Sequence, residues 1–135
     1  MANAMYGKGR EGFLGGDIDW DADTIKVVAI DTAQYAVSID VHEFLSDIAV
    51  GARISISPAL TAKTKALGAA GAANTVFSAV SGPDIEALAL FQDTGVEGTS
   101  RLIAYIDTAT GLPVIPNGTD INLNWDTGPN KIFKL

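Results

Sequence analysis

Cysteine is absent from this 135-residue chain, which excludes disulfide bonds, thiol catalysis and cysteine-based zinc sites. Histidine is nearly absent: His42 is the only one, so a histidine metal site lacks partners and a Ser-His-Asp triad has a single candidate base. Basic residues number 9 against 16 acidic ones, and the net charge of −7 argues against nucleic acid as a ligand. No apolar run approaches the ~18 residues of a membrane span, and the first residues lack the apolar centre of a secretory signal. These absences predict a non-enzymatic protein with no cofactor.

The sequence does contain two adjacent, strongly apolar segments, at residues 85–92 and 101–107. Both alternate sets of side chains are largely apolar in each segment, which is typical of strands covered on both faces. Consecutive strands without an intervening helix pair antiparallel by default. The two segments are therefore predicted to form the central strand pair, joined by an exposed loop over residues 93–100.

Short strand patterns recur along the rest of the chain. They cover residues 24–31, 52–57, 74–80, 112–115, 120–125 and 131–135. About eight short strands at such spacing predict an all-β, antiparallel β-sandwich, jelly-roll-like, with an immunoglobulin-like sandwich as the alternative. Ala52, Ile54 and Ile56 alternate with polar residues and are predicted to face the core, while Pro58 marks the continuation of this strand as a sheet edge.

One short helix is predicted over residues 41–48. Asp40 and Glu43 form a capping-box pattern at its start. Apolar residues follow at helical spacing and form one stripe: Val41, Phe44, Leu45 and Ile48. The helix is expected to cover one end of the sandwich core.

Residues 1–16 are predicted to be an N-terminal arm, and residues 17–135 a single domain. The arm carries apolar side chains but five glycines, which weaken any helix by up to ~1 kcal/mol each. We expect it to form one or two helical turns and to be ordered by docking, either on its own domain or on a neighbouring subunit. Gly7, Gly9 and Gly12 match G-x-G-x-x-G, but no strand precedes them and no βαβ unit follows, so nucleotide binding is not expected.

An acidic stretch follows, with Asp17, Asp19, Asp21 and Asp23 at every second position. This spacing imitates the first ligands of a calcium loop, although the glycine and the bidentate glutamate of that motif are missing. The competing interpretation is a solvated face opposite buried Ile18 and Trp20. The second interpretation is favoured, and calcium binding stays open.

Five segments carry a resemblance to a known class of protein: YGKGREGFLGGDIDW, IKVVAIDTAQYAV, HEFLSDI, SRLIAYIDTATGLPVIPNGTDI and the ending NWDTGPNKIFKL. Together they span most of the chain, which resembles small structural proteins of tailed bacteriophages. Within that class it is most similar to capsid decoration or cement proteins. These are often β-sandwich or jelly-roll modules that bind the outer shell as oligomers.

The resemblance implies a virion protein made in the host cytoplasm and located on the capsid surface. Its implied partners are the major capsid protein and further copies of itself, as a dimer or trimer. The expected interface lies in the arm and just after it: Met5, Tyr6, Lys8, Arg10, Phe13, Leu14 and Trp20. Deletion of residues 1–16 is then expected to abolish capsid binding and to leave the domain folded.

Two other classes of function are weighed against this one. The first is a tail- or fibre-associated protein or a carbohydrate-binding module, with Trp20, Tyr35, Tyr105 and Trp125 as candidate exposed aromatics. The second is an enzyme, which ranks lowest, because a glycosidase requires a pair of carboxylates in a cleft and the sixteen scattered acids single out none.

Overall fold

A computed structural model describes residues 3–109 and 111–135 and shows mainly antiparallel β-structure. Its elements are β1 (Ala4–Met5), α1 (Gly7–Leu14), β2 (Ile25–Ile30), β3 (Arg53–Ile56), β4 (Ala69–Ala70), β5 (Thr75–Phe77), β6 (Ala87–Gln92), β7 (Leu102–Ile106), β8 (Ile121–Leu123) and β9 (Phe133–Lys134). Five strands form one sheet in the order β1-β7-β6-β2-β3, while β4 pairs with β9 and β5 with β8. Every pairing is antiparallel.

The predicted central pair is confirmed. β6 and β7 pair antiparallel, with Leu88 opposite Ile106, and every residue of β6 is buried. One face of the sheet packs under the two small sheets, and the other packs under residues 35–52 and Tyr6. Because both faces are covered, both alternate sets of side chains in these strands are apolar. The loop over residues 93–100 is largely exposed, as predicted.

The predicted helix over residues 41–48 is wrong. Residues Leu45–Asp47 make a single 3₁₀ turn, and Phe44 is extended and bridges to Arg101 in the manner of a strand. The carboxylate of Asp47 accepts the N–H groups of Glu43 at 2.8 Å and Phe44 at 3.0 Å. Contacts with β7 and this side-chain cap satisfy the backbone groups that a helix would have paired internally.

The α-helix of the described chain instead lies inside the predicted arm, at Gly7–Leu14. Two of its three glycines, Gly9 and Gly12, are buried against the rest of the molecule. A Cβ atom at position 9 would lie 2.7 Å from the carbonyl oxygen of Leu102 and 2.9 Å from that of Ile103. Glycine therefore allows α1 to approach the backbone of β7, and tertiary packing outweighs its low helix propensity.

The strand predicted over residues 52–57 is present as β3, and its predicted facing holds for Ala52 and Ile54 but is wrong for Ile56 and Ser57. β3 is the outermost strand of the five-stranded sheet. Ile56 is exposed, whereas Ser57 is buried, with its hydroxyl accepting the N–H of Val27 at 2.9 Å and donating to the carbonyl of Pro58 at 2.8 Å. The register with β2 shifts between Ala29 and Ile30. This irregularity breaks the strict alternation that the prediction assumed.

The chain's three tyrosines occupy the same side of the sheet. The rings of Tyr6 and Tyr105 meet edge to face at 6.5 Å, and the Tyr6 and Tyr35 hydroxyl oxygens are 3.0 Å apart. Nδ1 of His42 accepts the N–H of Ser38 at 3.2 Å, so the hydroxyl of Tyr35, 2.7 Å away, donates to the same nitrogen. The Tyr6 hydroxyl accordingly donates to Tyr35.

We expect none of these tyrosines to ionise in the folded protein near its ordinary pKa of 10. Burial raises the pKa of Tyr6 well above its usual value, raises that of Tyr35 to about 12 and raises that of Tyr105. Because the neutral phenol is favoured in the fold, its contribution to stability is complete below pH ~10 and is lost as the pH rises above it. Tyrosinate absorbance at 295 nm should therefore appear together with loss of the near-ultraviolet circular dichroism. A gradual rise near pH 10 with native dichroism would contradict this arrangement.

Candidate partner-binding surface

Three of the seven predicted interface residues lie in the protein's own core. Met5, Tyr6 and Trp20 are buried, and the indole N–H of Trp20 donates to the carbonyl of Thr64 at 2.9 Å. Met5 belongs to β1, which pairs with β7. These side chains have no free surface for a partner in this conformation.

The other four predicted residues lie on α1 and are at least partly accessible. Phe13 packs its ring 5.9 Å from that of Phe133, and Lys8 forms an ion pair with Glu11 on the same helix. Arg10 is exposed, and Leu14 is 90% exposed. These contacts agree with the first alternative for the arm, in which it docks on the protein's own domain.

The packing of β1 and α1 bears on the deletion of residues 1–16. Removal of β1 and α1 would expose the edge of β7 and would remove Met5 and Tyr6 from the core. We now expect such a deletion to destabilise the fold, so loss of capsid binding by that variant would not locate an interface.

Exposed leucines next to β9 form a second candidate surface that the sequence analysis did not single out. Leu67 is 93% exposed and Leu135 is 64% exposed, and the N–H of Leu135 donates to the carbonyl of Gly68 at 3.0 Å. Leu67 and Leu135 therefore lie on neighbouring segments, and we call them the β9 leucine pair. The sequence feature that could have indicated this surface was the lone leucine within KALGAAGAA.

The backbone of Leu67 is also unusual, with φ of 55° and ψ of 30°. This left-handed conformation is uncommon for a residue other than glycine and is costly for a bulky side chain. The conformation directs an apolar side chain into solvent instead of the core. Strain combined with exposure is typical of a residue that contacts a partner.

A groove separates β1 from β9, and we call it the β1–β9 groove. Its cavity volume is about 520 Å³, and its polar and charged lining residues are Asn3, Arg10, Tyr105, Asn130 and Lys134. A second cavity of about 570 Å³ adjoins it through the shared residues Asn3, Ile106 and Ile132, and extends to Lys131 and Trp125. These cavities lie in the volume range of ligand and peptide sites.

Of the four candidate aromatics, Trp125 borders the second cavity and Tyr105 borders the β1–β9 groove. Trp20, Tyr35 and Tyr105 are buried, whereas Trp125 is partly exposed. Its indole N–H is buried and has no hydrogen-bond partner within residues 3–109 and 111–135. The amides of Asn122 and Asn124 line the same cavity. A ring, a free donor and two amides are the groups that contact a sugar in carbohydrate sites.

The acidic stretch forms a turn instead of a strand, although its predicted alternation of exposure holds. Ile18 and Trp20 are buried, and one carboxylate oxygen of Asp19 accepts the N–H groups of Asp21 at 3.0 Å and Ala22 at 3.1 Å. These carboxylates cap the local backbone. Within residues 3–109 and 111–135, no group of three or more histidine or acidic side chains is arranged to hold a metal ion.

No protein-family model matches the chain, and a search of curated proteins finds no relative. In the part of the chain that the structure describes, no helix is long and apolar enough to span a membrane.

Proposed function

We propose that this protein is a non-enzymatic structural protein of a tailed-phage virion, which binds and stabilises the capsid exterior as a decoration or cement subunit. Its partners are then the major capsid protein and other copies of itself in a dimer or trimer on the capsid surface. The resemblance of the sequence to such proteins supports this assignment. On this proposal, the small sheets over one face of the main sheet form the second layer of a jelly-roll-like sandwich.

The β9 leucine pair is the observation that carries the proposal. The protein has a net charge of −7, so charge repulsion opposes contact between its copies. Exposed apolar side chains provide an attractive contact area instead. Burial contributes roughly 25 cal/mol per Å², so even a small patch suffices when the contact is repeated over many symmetry-related sites. Leu14, at the end of α1, adds a third exposed leucine beside Phe13, whose ring contacts β9.

Co-sedimentation with capsid shells that lack this protein tests the proposal. We expect saturable binding of the wild-type chain and a loss of at least about tenfold in affinity for the double variant Leu67→Asp/Leu135→Asp, because two apolar contacts are replaced by charges. Val41→Asp/Val50→Asp is the matched control, since both valines are exposed and the change in net charge is the same. Absence of wild-type binding would contradict the capsid assignment, and equal binding of both variants would exclude the leucine pair.

A tail- or fibre-associated carbohydrate-binding module is the second candidate. It rests on Trp125, whose buried N–H has no partner among the described residues, and on the two amide side chains that line the same cavity. The leucine pair has no role in that alternative, so affinity for shells and affinity for oligosaccharides separate the two candidates.

A further inference from the structure

The β1–β9 groove differs in charge from the rest of the molecule. Five of the nine basic side chains, those of Lys8, Lys26, Arg53, Lys65 and Arg101, form ion pairs with carboxylates. The ammonium group of Lys63 contacts the carbonyl of Asp23. The remaining three are Arg10, Lys131 and Lys134.

All three of these cations line the two joined cavities. Arg10 and Lys134 line the β1–β9 groove, and Lys131 lines the cavity that adjoins it. Among the residues that the structure describes, no aspartate or glutamate lines the β1–β9 groove. Two of these three cations thus line the β1–β9 groove, whereas Lys131 shares the adjoining cavity with Asp126. This excess of positive charge in the groove favours an anionic occupant.

The groove is also bordered by two strand edges. β1 is the outermost strand of the five-stranded sheet, and β9 pairs only with β4 among the described residues. Tyr6 N–H donates to Ile103 at 2.9 Å, so in the antiparallel register the N–H and C=O of Met5 point away from β7. Met5 itself lines the groove. Backbone groups that point outward from an edge strand can pair with an added strand.

We propose that the β1–β9 groove binds an extended acidic polypeptide segment. The segment adds as a strand along the open edge of β1, where it pairs with the backbone of Met5, and its carboxylates contact Arg10 and Lys134. The identity of the partner rests on the proposed function, in which the segment belongs to a neighbouring virion subunit. The preference for an acidic strand is a property of this chain alone.

An extended polypeptide fits the groove better than an anionic saccharide. The open backbone edge and two of the free cations lie in the β1–β9 groove, whereas Trp125 and the amides of Asn122 and Asn124 lie in the adjoining cavity. Main-chain hydrogen bonds supply affinity in strand addition, and the flanking charges select the sequence.

Nuclear magnetic resonance of the ¹⁵N-labelled full-length chain tests the proposal with two capped hexapeptides, one alternating Glu and Thr and one alternating Lys and Thr. We expect the Glu peptide to bind about tenfold more tightly at low salt, with the preference falling as salt rises. Amide shifts should centre on Met5, Arg10 and Lys134. Hydrogen exchange of the Met5 amide should slow, which side-chain contact alone would not produce.

Charge reversal supplies the variant test. Arg10→Glu/Lys134→Glu should reverse the preference, so that the Lys peptide binds more tightly. Lys8→Glu/Lys65→Glu has the same net charge, and neither lysine lines the groove, so this control should keep the wild-type preference. Equal binding of both peptides, or no change in the groove variant, would overturn the proposal.

A titration with oligogalacturonate separates the polypeptide from a saccharide. Shifts at Trp125 and Asn122 with this probe, without binding of the Glu peptide, would overturn the proposal. Binding to capsid shells also distinguishes failure of the groove proposal from failure of the capsid assignment. If the wild-type chain binds shells and the groove variant binds equally well, the groove proposal fails and the capsid assignment stands. If shells are not bound but the Glu peptide is, the capsid assignment fails alone.

Discussion

Replacement of Tyr6 by alanine is expected to lower the free energy of unfolding by about 3–5 kcal/mol. The side chain is 0% exposed, its ring contacts Tyr105 edge to face, and its hydroxyl hydrogen-bonds that of Tyr35. Truncation leaves a cavity and removes a partner from a buried hydroxyl. Since a domain of this size has a total stability of roughly 5–15 kcal/mol, the loss is a large fraction of it. Urea denaturation followed by circular dichroism measures the change.

Tyr6→Phe is the matched control. It retains the ring and removes only the hydroxyl that donates to Tyr35, while Tyr35 keeps its bond to His42. We expect a cost of about 1 kcal/mol. If Tyr6→Ala cost no more than Tyr6→Phe, the N-terminal segment would not be docked in the core.

Gly9→Ala is expected to destabilise the protein by about 1–3 kcal/mol, although alanine is the better helix former. The new Cβ atom would meet main-chain atoms of β7, which do not move aside as a side chain would. The nearest are the carbonyl oxygens of Leu102 at 2.7 Å and Ile103 at 2.9 Å. On an exposed helix the same substitution would stabilise by roughly 1 kcal/mol, so the sign of the change in thermal midpoint reports the contact.

Gly98→Ala provides the comparison for this substitution. Nothing lies within 4 Å of a Cβ atom at position 98, so we expect a change within about 0.5 kcal/mol. If Gly9→Ala raised the midpoint, α1 would have to lie farther from β7 than the structure places it.

The strands were predictable wherever burial on both sides dominated the local pattern. β2, β6 and β7 lie in predicted segments of seven or eight residues whose alternate sets of side chains are both largely apolar, the pattern of a strand covered on both faces. The small sheets were harder to delimit: a strand predicted over residues 74–80 is reduced to Thr75–Phe77. Beside such short strands, hydrogen bonds to side chains replace the backbone hydrogen bonds between strands. For example, the N–H of Ala79 donates to the carboxylate of Asp120.

The missing helix at residues 41–48 and the glycine-rich helix at Gly7–Leu14 have one physical cause. Val41 to Ile48 has a helical pattern, but its backbone pairs with β7 and with the carboxylate of Asp47. Gly7–Leu14 has poor helix propensity, but α1 gains its stability from contact with β7. Local propensity amounts to less than about 1 kcal/mol per residue, so tertiary hydrogen bonding and packing override it.

The sequence by itself determined the antiparallel, mostly β architecture with its central strand pair, because hydrophobic alternation directly reflects which faces are covered. Only the tertiary structure decided which apolar residues are available to a partner. Met5, Tyr6 and Trp20 are buried, and Leu67 and Leu135 are exposed, although all five are apolar. Exposure depends on which distant segments pack together, as β9 does with β4 and α1 with β7, and the composition of a segment does not encode those long-range contacts.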